Sequence, residues 1–232
     1  MPAEMNAPRD EESEYYSLTE RVFEVLAPFY DCLVLPAGAW RRKVVTLARA
    51  PRGASVLDVA TGTGQQAFAF ARAGHDVVGV DISEAMISVA RKKNQLPNLK
   101  FEFGDATRLR FDNGSFDVTT ISFALHDMPR TIQQRVLGEM VRVTKDQGSL
   151  VLVDYGLPAH RAGRWLAYHI VKAYEGQYYV SFIRSDFEGL VRAAGIQIME
   201  RHKGLLGAAS ALVAVKSGNG ERIHRWRASA GA

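Results

Sequence analysis

Apolar residues recur at helical spacing early in the chain, with Leu18, Val22, Leu26 and Phe29 on one stripe and Tyr15, Phe23 and Tyr30 on neighbouring faces. This predicts an amphipathic helix. A second helical stretch runs from Ala39 to Ala48 and stops at the Ala-Pro-Arg-Gly turn of residues 50–53. From Ser55 the pattern changes in kind. Short β-branched runs (SVLDVA, DVVGVDI, LKFEFGD, FDVTTISFA and SLVLVDY) alternate with helical segments near Gln65 to Ala73, Glu84 to Lys93 and, briefly, around Ala106. A further helix begins near Pro129 and carries Ile132, Val136, Met140 and Val143 inward. Strands alternating with helices predict a parallel sheet with helices on both faces, and the unbroken apolar runs suit strands buried on both sides. The last third differs: an aromatic stretch from Trp165 through Tyr168, Tyr174, Tyr178 and Tyr179 to Phe182 precedes a helix from Asp186 to Ala194. Strands from Ile196 to Lys203 and Ala209 to Val215 follow, separated by a turn at Gly204 to Gly207 short enough for an antiparallel hairpin.

The 232 residues, 47% hydrophobic and 23% charged, suffice for a buried core and exclude disorder as the main state. The single cysteine, Cys32, excludes an internal disulfide and a multi-cysteine zinc site, so a reducing cytoplasm is the expected home and no metal is expected. No run approaches the length of a spanning helix, and the first residues are acidic where a signal peptide is basic and then apolar. A net charge of +4 is too small for a dedicated nucleic-acid binder. Acids concentrate in residues 1–14, and Lys216, Arg222, Arg225 and Arg227 face only Glu221 near the other end; both ends read as solvated. The expected organisation is an acidic leader over 1–14, a helical lid over 15–50, a core over 51–216 with an aromatic insertion near 155–185, and a basic tail over 217–232.

The chemistry concentrates where strands end. Strand SVLDVA runs into Thr61-Gly62-Thr63-Gly64 and at once into a helix; Gly62, Gly64 and Ala67 satisfy G-x-G-x-x-G/A, a pattern that by itself admits any dinucleotide. Asp81 ends the second strand 19 residues after Gly62, where a carboxylate offers two oxygens to a vicinal diol. Asp58 lies four residues before Gly62, where its charge opposes a pyrophosphate and favours an ammonium; Asp105 ends the third strand, placed to accept from an adenine amino group. A ligand with an amino acid end, a ribose and an adenine meets all three acids.

On VLDVATGTGQ, VVGVDIS with Met86 following, FGDA at 103–106 and FDVTTISFALH at 116–126, the chain resembles the class I S-adenosylmethionine-dependent methyltransferases over about Ser55 to Val215. With the Ala27-Pro28-Phe29-Tyr30-Asp31 segment ahead of the core, it is most similar to the ubiquinone/menaquinone C-methyltransferase group and its small-molecule relatives. The resemblance implies a Rossmann-like α/β fold with a seven-stranded, mostly parallel sheet whose last strand is antiparallel. It implies S-adenosylmethionine held by Asp58, Ala60, Gly62 and Gly64 around the methionine part, Asp81 on the ribose, and Asp105 and Ala106 at the adenine. Ile82 and Met86 would pack the adenine face, Ser122 would stand near the methionine end, and Tyr30 would fold over the cofactor, where its ring can face a sulfonium. Two departures stand out. The usual Pro-Gly-Gly turn before the fifth strand is Asp146-Gln147-Gly148, and the arginine-asparagine pair of the quinone enzymes is replaced by Leu125-His126-Asp127.

The function expected is methyl transfer to a small apolar or aromatic acceptor. His126, just past the fourth strand, is the candidate general base because its pKa lies near neutrality; its bland reading is a pocket-shaping hydrogen bond. Asp127, Asp154, Tyr155 and His169 read as structural, as does Asp117 in its Phe-Asp-Val setting. The rivals are a noncatalytic cofactor-binding partner, a phospholipid head-group methyltransferase with peripheral membrane contact, and an NAD(P)-dependent oxidoreductase on the same glycine turn. Oligomeric state is not legible.

Overall fold

The computed structural model describes residues 11–31, 38–156, 182 and 185–218. Cys32, most of the aromatic insertion with His169, and the basic end with Arg222, Arg225 and Arg227 lie outside the described residues, as does most of the acidic leader. Helices α1 (Glu11–Leu26) and α2 (Gly38–Leu47) precede β1 (Ser55–Val59), α3 (Gln65–Arg72), β2 (Asp76–Asp81), α4 (Glu84–Lys93) and β3 (Leu99–Phe103). Then come β4 (Phe116–Ser122), a 3-10 turn at Leu125–Asp127, α5 (Arg130–Val143), β5 (Thr144–Tyr155), α6 (Phe187–Ala193), β6 (Ile196–Gly204) and β7 (Ala209–Lys216).

The seven strands form one sheet in the order β3-β2-β1-β4-β5-β7-β6. β1 to β5 pair in parallel, and β7 inserts antiparallel between β5 and β6, as the hairpin pattern predicted. Adjacent residues serve opposite faces. Leu57, Val59, Ile121 and Leu152 pack against α5 and α6 through Ile132, Val136, Met140 and Leu190, whereas Val56, Val77, Val118 and Val151 pack against α2, α3 and α4 through Val44, Phe70, Ile87 and Ala90. Each of the largest of these side chains contributes roughly 1.5–3 kcal/mol by burial. Helix starts follow their caps: the Ser83 hydroxyl accepts from the Met86 amide, and the Asp186 carboxylate from the Gly189 amide. Strand order reverses between β1 and β4, which opens a crevice at their carboxyl ends.

Three expectations change. The segment around Ala106 is a turn, because Asp105 Oδ1 accepts from the Thr107 amide (2.8 Å) and closes a side-chain turn in place of a helix. β5 starts at Thr144 rather than Ser149: Thr144 pairs with Phe116, the register shifts, and Gly148 passes where a Cβ would lie 2.8 Å from the Asp117 carbonyl. In α1 and the turn after it the predicted apolar stripe faces outward, with Leu18 and Val22 near 40% exposed and Phe29 68% exposed. The helix lies across the carboxyl edge of the sheet, not flat on a face, so it buries Tyr15 instead.

Candidate functional site

The carboxyl edge gathers the predicted residues from separate elements. After β1 the backbone turns through Ala60 (φ 51°), Gly62 (φ 55°) and Gly64 (φ 85°), and after β4 through Phe123 (φ 54°). Left-handed Ala60 and Phe123 are strained for residues with a Cβ, and such strain collects at ligand sites. The two glycines differ in purpose. A Cβ on Gly62 would meet nothing within 4 Å, so its backbone faces open crevice; a Cβ on Gly64 would sit 2.4 Å from the Phe101 ring, so Gly64 is required by packing.

Asp58 is buried beneath this loop. Its Oδ2 accepts from Thr61 Oγ1 (2.5 Å) and the Ala67 amide (3.1 Å), while its Oδ1 is buried without a hydrogen-bond partner. Burial pushes its pKa up to about 7, with nearby Asp81 adding to the rise and the Thr61 and Ala67 bonds opposing it. On the neighbouring strand the Ser122 hydroxyl is also buried and unpartnered. Asp81 is held rigid: Oδ2 accepts from the Gly62 amide (2.7 Å) and Oδ1 from the Ser83 amide (2.9 Å). Burial raises its pKa against these bonds, and each oxygen keeps a second lone pair for a hydroxyl donor. Ile82 follows it, half-buried, and Met86 is buried in the first turn of α4. Asp105 and Ala106 stand at the turn after β3.

The structure adds partners that sequence spacing did not reveal. Tyr16 of α1 donates to Asp105 Oδ2 (3.1 Å), and Glu12 pairs with Arg135 of α5, so α1 spans the edge from β3 to α5. Tyr15 lies buried within electrostatic reach of Asp81 and Asp127, and burial holds its pKa well above the usual phenol range. Tyr30 packs edge-on against Phe23. Beside it Asp31 accepts from Thr63 Oγ1 (2.6 Å) and Lys93 Nζ (2.5 Å), which ties the end of the N-terminal segment to the glycine loop. Contacts separated by 32 to 123 residues leave no local signal in a sequence.

His126 is buried in the 3-10 turn. Its Nδ1 lies 2.7 Å from Asp154 Oδ1, its backbone amide donates to Asp154 Oδ2 (3.1 Å), and its Nε2 stands 3.6 Å from Asp127 Oδ2. The ring packs edge-on against Tyr155. Asp154, read from sequence as structural, is therefore the residue that fixes this imidazole. A cavity of about 310 Å³ opens beside it, lined among the described residues by Leu152, Asp154, Tyr155, Phe182, Phe187 and Leu212 together with Ser185, Glu188 and Lys203. A larger cavity, about 480 Å³, lies at the opposite edge between Asn113, Arg142, Lys145 and Lys216. Its cations are engaged by Glu139, Asp117 and Asp146, so size alone does not mark the site.

A sheet of this order, opened at its β1/β4 switch point over a glycine loop and three strand-end acids, has the class I S-adenosylmethionine-dependent methyltransferase fold. The family model described as "Methyltransferase domain" matches residues 56–148, inside that core. A demethylmenaquinone methyltransferase of Renibacterium salmoninarum is 42% identical over 142 residues, which cover 59% of this chain and 58% of the relative. The chain thus spans little more than half the length of that relative, and it resembles the menaquinone group within the class. Among solved structures, an S-adenosylmethionine-dependent methyltransferase from Aquifex aeolicus superposes with a TM-score of 0.59 at 19% identity, over 76% of this chain and 89% of the other. The cyclase SpnF superposes with a TM-score of 0.69 at 16% identity, over 86% and 95%. These two likenesses concern the fold alone; one fold hosts several reactions.

Proposed function

We propose that the protein is an S-adenosylmethionine-dependent methyltransferase that methylates a small, apolar, quinol-like acceptor in the cytoplasm. The carrying observation is the pair of buried, unpartnered polar atoms, Asp58 Oδ1 and Ser122 Oγ, at the β1/β4 crevice beside a Gly62 that faces open space. An ammonium group satisfies such a carboxylate oxygen, and a pyrophosphate does not. In this reading Asp58, Ala60, Gly62, Gly64 and Ser122 surround the methionine part and Asp81 accepts from the ribose. Asp105, Ala106, Ile82 and Met86 bound the adenine, and Tyr30 lies over the sulfonium. The bound cofactor supplies a sulfonium-activated methyl group. The chain's own work is alignment and water exclusion, with a base where the acceptor sheds a proton.

In this reading the acceptor enters the cavity beside Asp154, where Leu152, Tyr155, Phe182, Phe187 and Leu212 supply the apolar part of the lining. His126, with Nδ1 held by Asp154, receives the acceptor's proton through Nε2. The α1 segment acts as a lid: Tyr16 occupies Asp105, the acid assigned to the adenine, so adenine binding exchanges one hydrogen bond for another. Removal of residues 1–14 is expected to leave turnover nearly intact, and removal of 1–31 to depress it. Equal turnover in both truncations would refute the lid.

The decisive experiment incubates the protein with methyl-labelled S-adenosylmethionine and a panel of naphthoquinols, phenols, thiols, amines and phospholipids, following label and S-adenosylhomocysteine together. Label in the quinol or phenol fraction with equimolar S-adenosylhomocysteine is expected. Label in phospholipid points to the head-group enzyme, cofactor binding without any transfer to the noncatalytic partner, and micromolar NADH binding to the oxidoreductase; each overturns the reading.

A further inference from the structure

The register of β5, β7 and β6 gives the cavity beside Asp154 an order. Leu152 stands opposite Leu212, and two residues further on Asp154 stands opposite Ser210 and Ser210 opposite Lys203. Residues two apart on a strand share a face, and all five line the cavity of about 310 Å³. A polar row therefore crosses it from the His126 end to the outer strand, its ends two strand spacings or about 10 Å apart. The charges along the lining are not equally engaged. Asp154 Oδ1 meets His126 Nδ1 and the Tyr155 amide, each at 2.7 Å, and Oδ2 accepts from the His126 amide at 3.1 Å. Glu188, the other acid of the lining, accepts from Arg192 at 2.8 Å and Arg201 at 2.7 Å. The ammonium of Lys203 has neither an ion pair nor a hydrogen bond among the described residues. Lysines on an edge strand deter further strand pairing, and β6 is an edge; Lys203 differs from such a guard in lining the cavity.

We propose that Lys203 selects the methyl acceptor: the substrate is a hydroxyaryl acid whose carboxylate meets Lys203 while its hydroxyl faces His126 at the other end of the row. The inference rests on the methyltransferase reading and narrows its quinol-like acceptor to one that carries an anionic group across the ring system from the hydroxyl. The rings lie against Leu152, Leu212, Phe182 and Phe187, which leaves the two ends of the ligand to the polar row. Lys203 is solvated at the rim while the cavity is empty, and a carboxylate that enters replaces that water with one charge-assisted bond. An amine in its place meets no acid free to receive it, because Asp154 and Glu188 are held by the chain.

Calorimetry on the full chain saturated with S-adenosylhomocysteine tests this with two matched pairs. One is a hydroxynaphthoate with its hydroxyl and carboxylate on opposite rings, set against its carboxamide; the other is the isomer with the two groups on adjacent carbons, set against its own carboxamide. The opposite-ring acid is expected to bind about tenfold tighter than its amide, the low end of a charge-assisted bond because the rim is open, and the adjacent pair to bind within about twofold of each other. Lys203→Gln is expected to bring the opposite-ring acid and amide within about twofold, and Lys203→Glu to invert their order. Lys203 is exposed on an edge strand, so both variants keep the fold. Equal wild-type binding of the opposite-ring acid and its amide overturns the proposal and leaves Lys203 an edge-strand guard. A preference that survives in Lys203→Gln, or one of the same size in both isomers, overturns it by putting anion recognition elsewhere. Binding of S-adenosylhomocysteine without binding of any of the four ligands overturns this inference and leaves the cofactor reading standing. Failure to bind S-adenosylhomocysteine at all overturns the methyltransferase reading itself.

Discussion

At the amino edge of the sheet, Asp117 accepts from the Ser55 amide (2.9 Å) and hydroxyl (2.7 Å) and pairs with Lys145 (2.9 Å), joining the starts of β1, β4 and β5. Toward the carboxyl edge, one residue past the middle of β1, Asp58 keeps an oxygen with no partner. The same side chain on the same sheet meets opposite electrostatics. Asp117 loses some solvation, but Lys145 and Ser55 outweigh that and hold its pKa below the usual carboxylate range; burial at Asp58 prevails and lifts it to about 7. A carboxylate that fastens strands is satisfied by the chain itself. Asp58, which the proposed function assigns to a ligand, is left one partner short, and its cost is carried by the core around it.

The comparison is broken most directly at Asp81. On the proposed role of Asp81, Asp81→Ala removes two charge-assisted hydrogen bonds to the ribose, each worth roughly 1.5–3 kcal/mol, and should weaken S-adenosylhomocysteine by about a hundredfold or more in calorimetry. An affinity within about threefold of the parent removes the carboxyl edge from ligand recognition. His126 comes next. As the general base, His126→Ala and His126→Gln should both lower kcat by about a hundredfold while cofactor affinity barely moves. Glutamine restoring most of the alanine loss, with an unshifted acidic limb in the pH profile, would make Asp154 and His126 a purely structural pair.

Asp58→Asn sharpens the contrast. It should weaken S-adenosylhomocysteine about tenfold and yet stabilise the ligand-free protein at neutral pH. The folded pKa of about 7 lies above the unfolded value of 3.8, so the stability linked to Asp58 is complete below about pH 4 and is lost as pH rises toward 7. The loss is on the order of a few kcal/mol, and asparagine abolishes it. The melting-temperature gain of the variant should therefore be larger at pH 8 than at pH 5; a gap that stays level with pH contradicts the assignment. The smallest effect is at Asp117. Its pair is partly exposed, so screening limits Asp117→Ala to a loss of about 1 kcal/mol, with ligand affinity unchanged. Because this pKa is depressed, the contribution is present at neutral pH and fades as pH falls through the folded value below 3.8, where wild type and variant should converge in thermal melts.

The strand alternation, the glycine turn, the three acids and the closing hairpin were legible because each is local. Buried parallel strands demand apolar runs, a tight strand-to-helix turn demands glycine, and strand ends in such a sheet converge on one crevice whatever lies between them. The sequence by itself therefore determined the sheet, the long helices that flank it and the edge where the three acids gather. It did not determine which side of α1 is buried: periodicity picked the Leu18 to Phe29 stripe, whereas the helix lies across strand ends and buries Tyr15. Nor could it separate Gly62 from Gly64, since only the approach of Phe101 makes one a packing glycine and the other an open wall. The pairing of His126 with Asp154, of Tyr16 with Asp105, and of Asp31 with Thr63 and Lys93 were decided by tertiary structure alone, because desolvation and hydrogen bonding depend on distances in space that residues far apart in the chain acquire only when the sheet has closed.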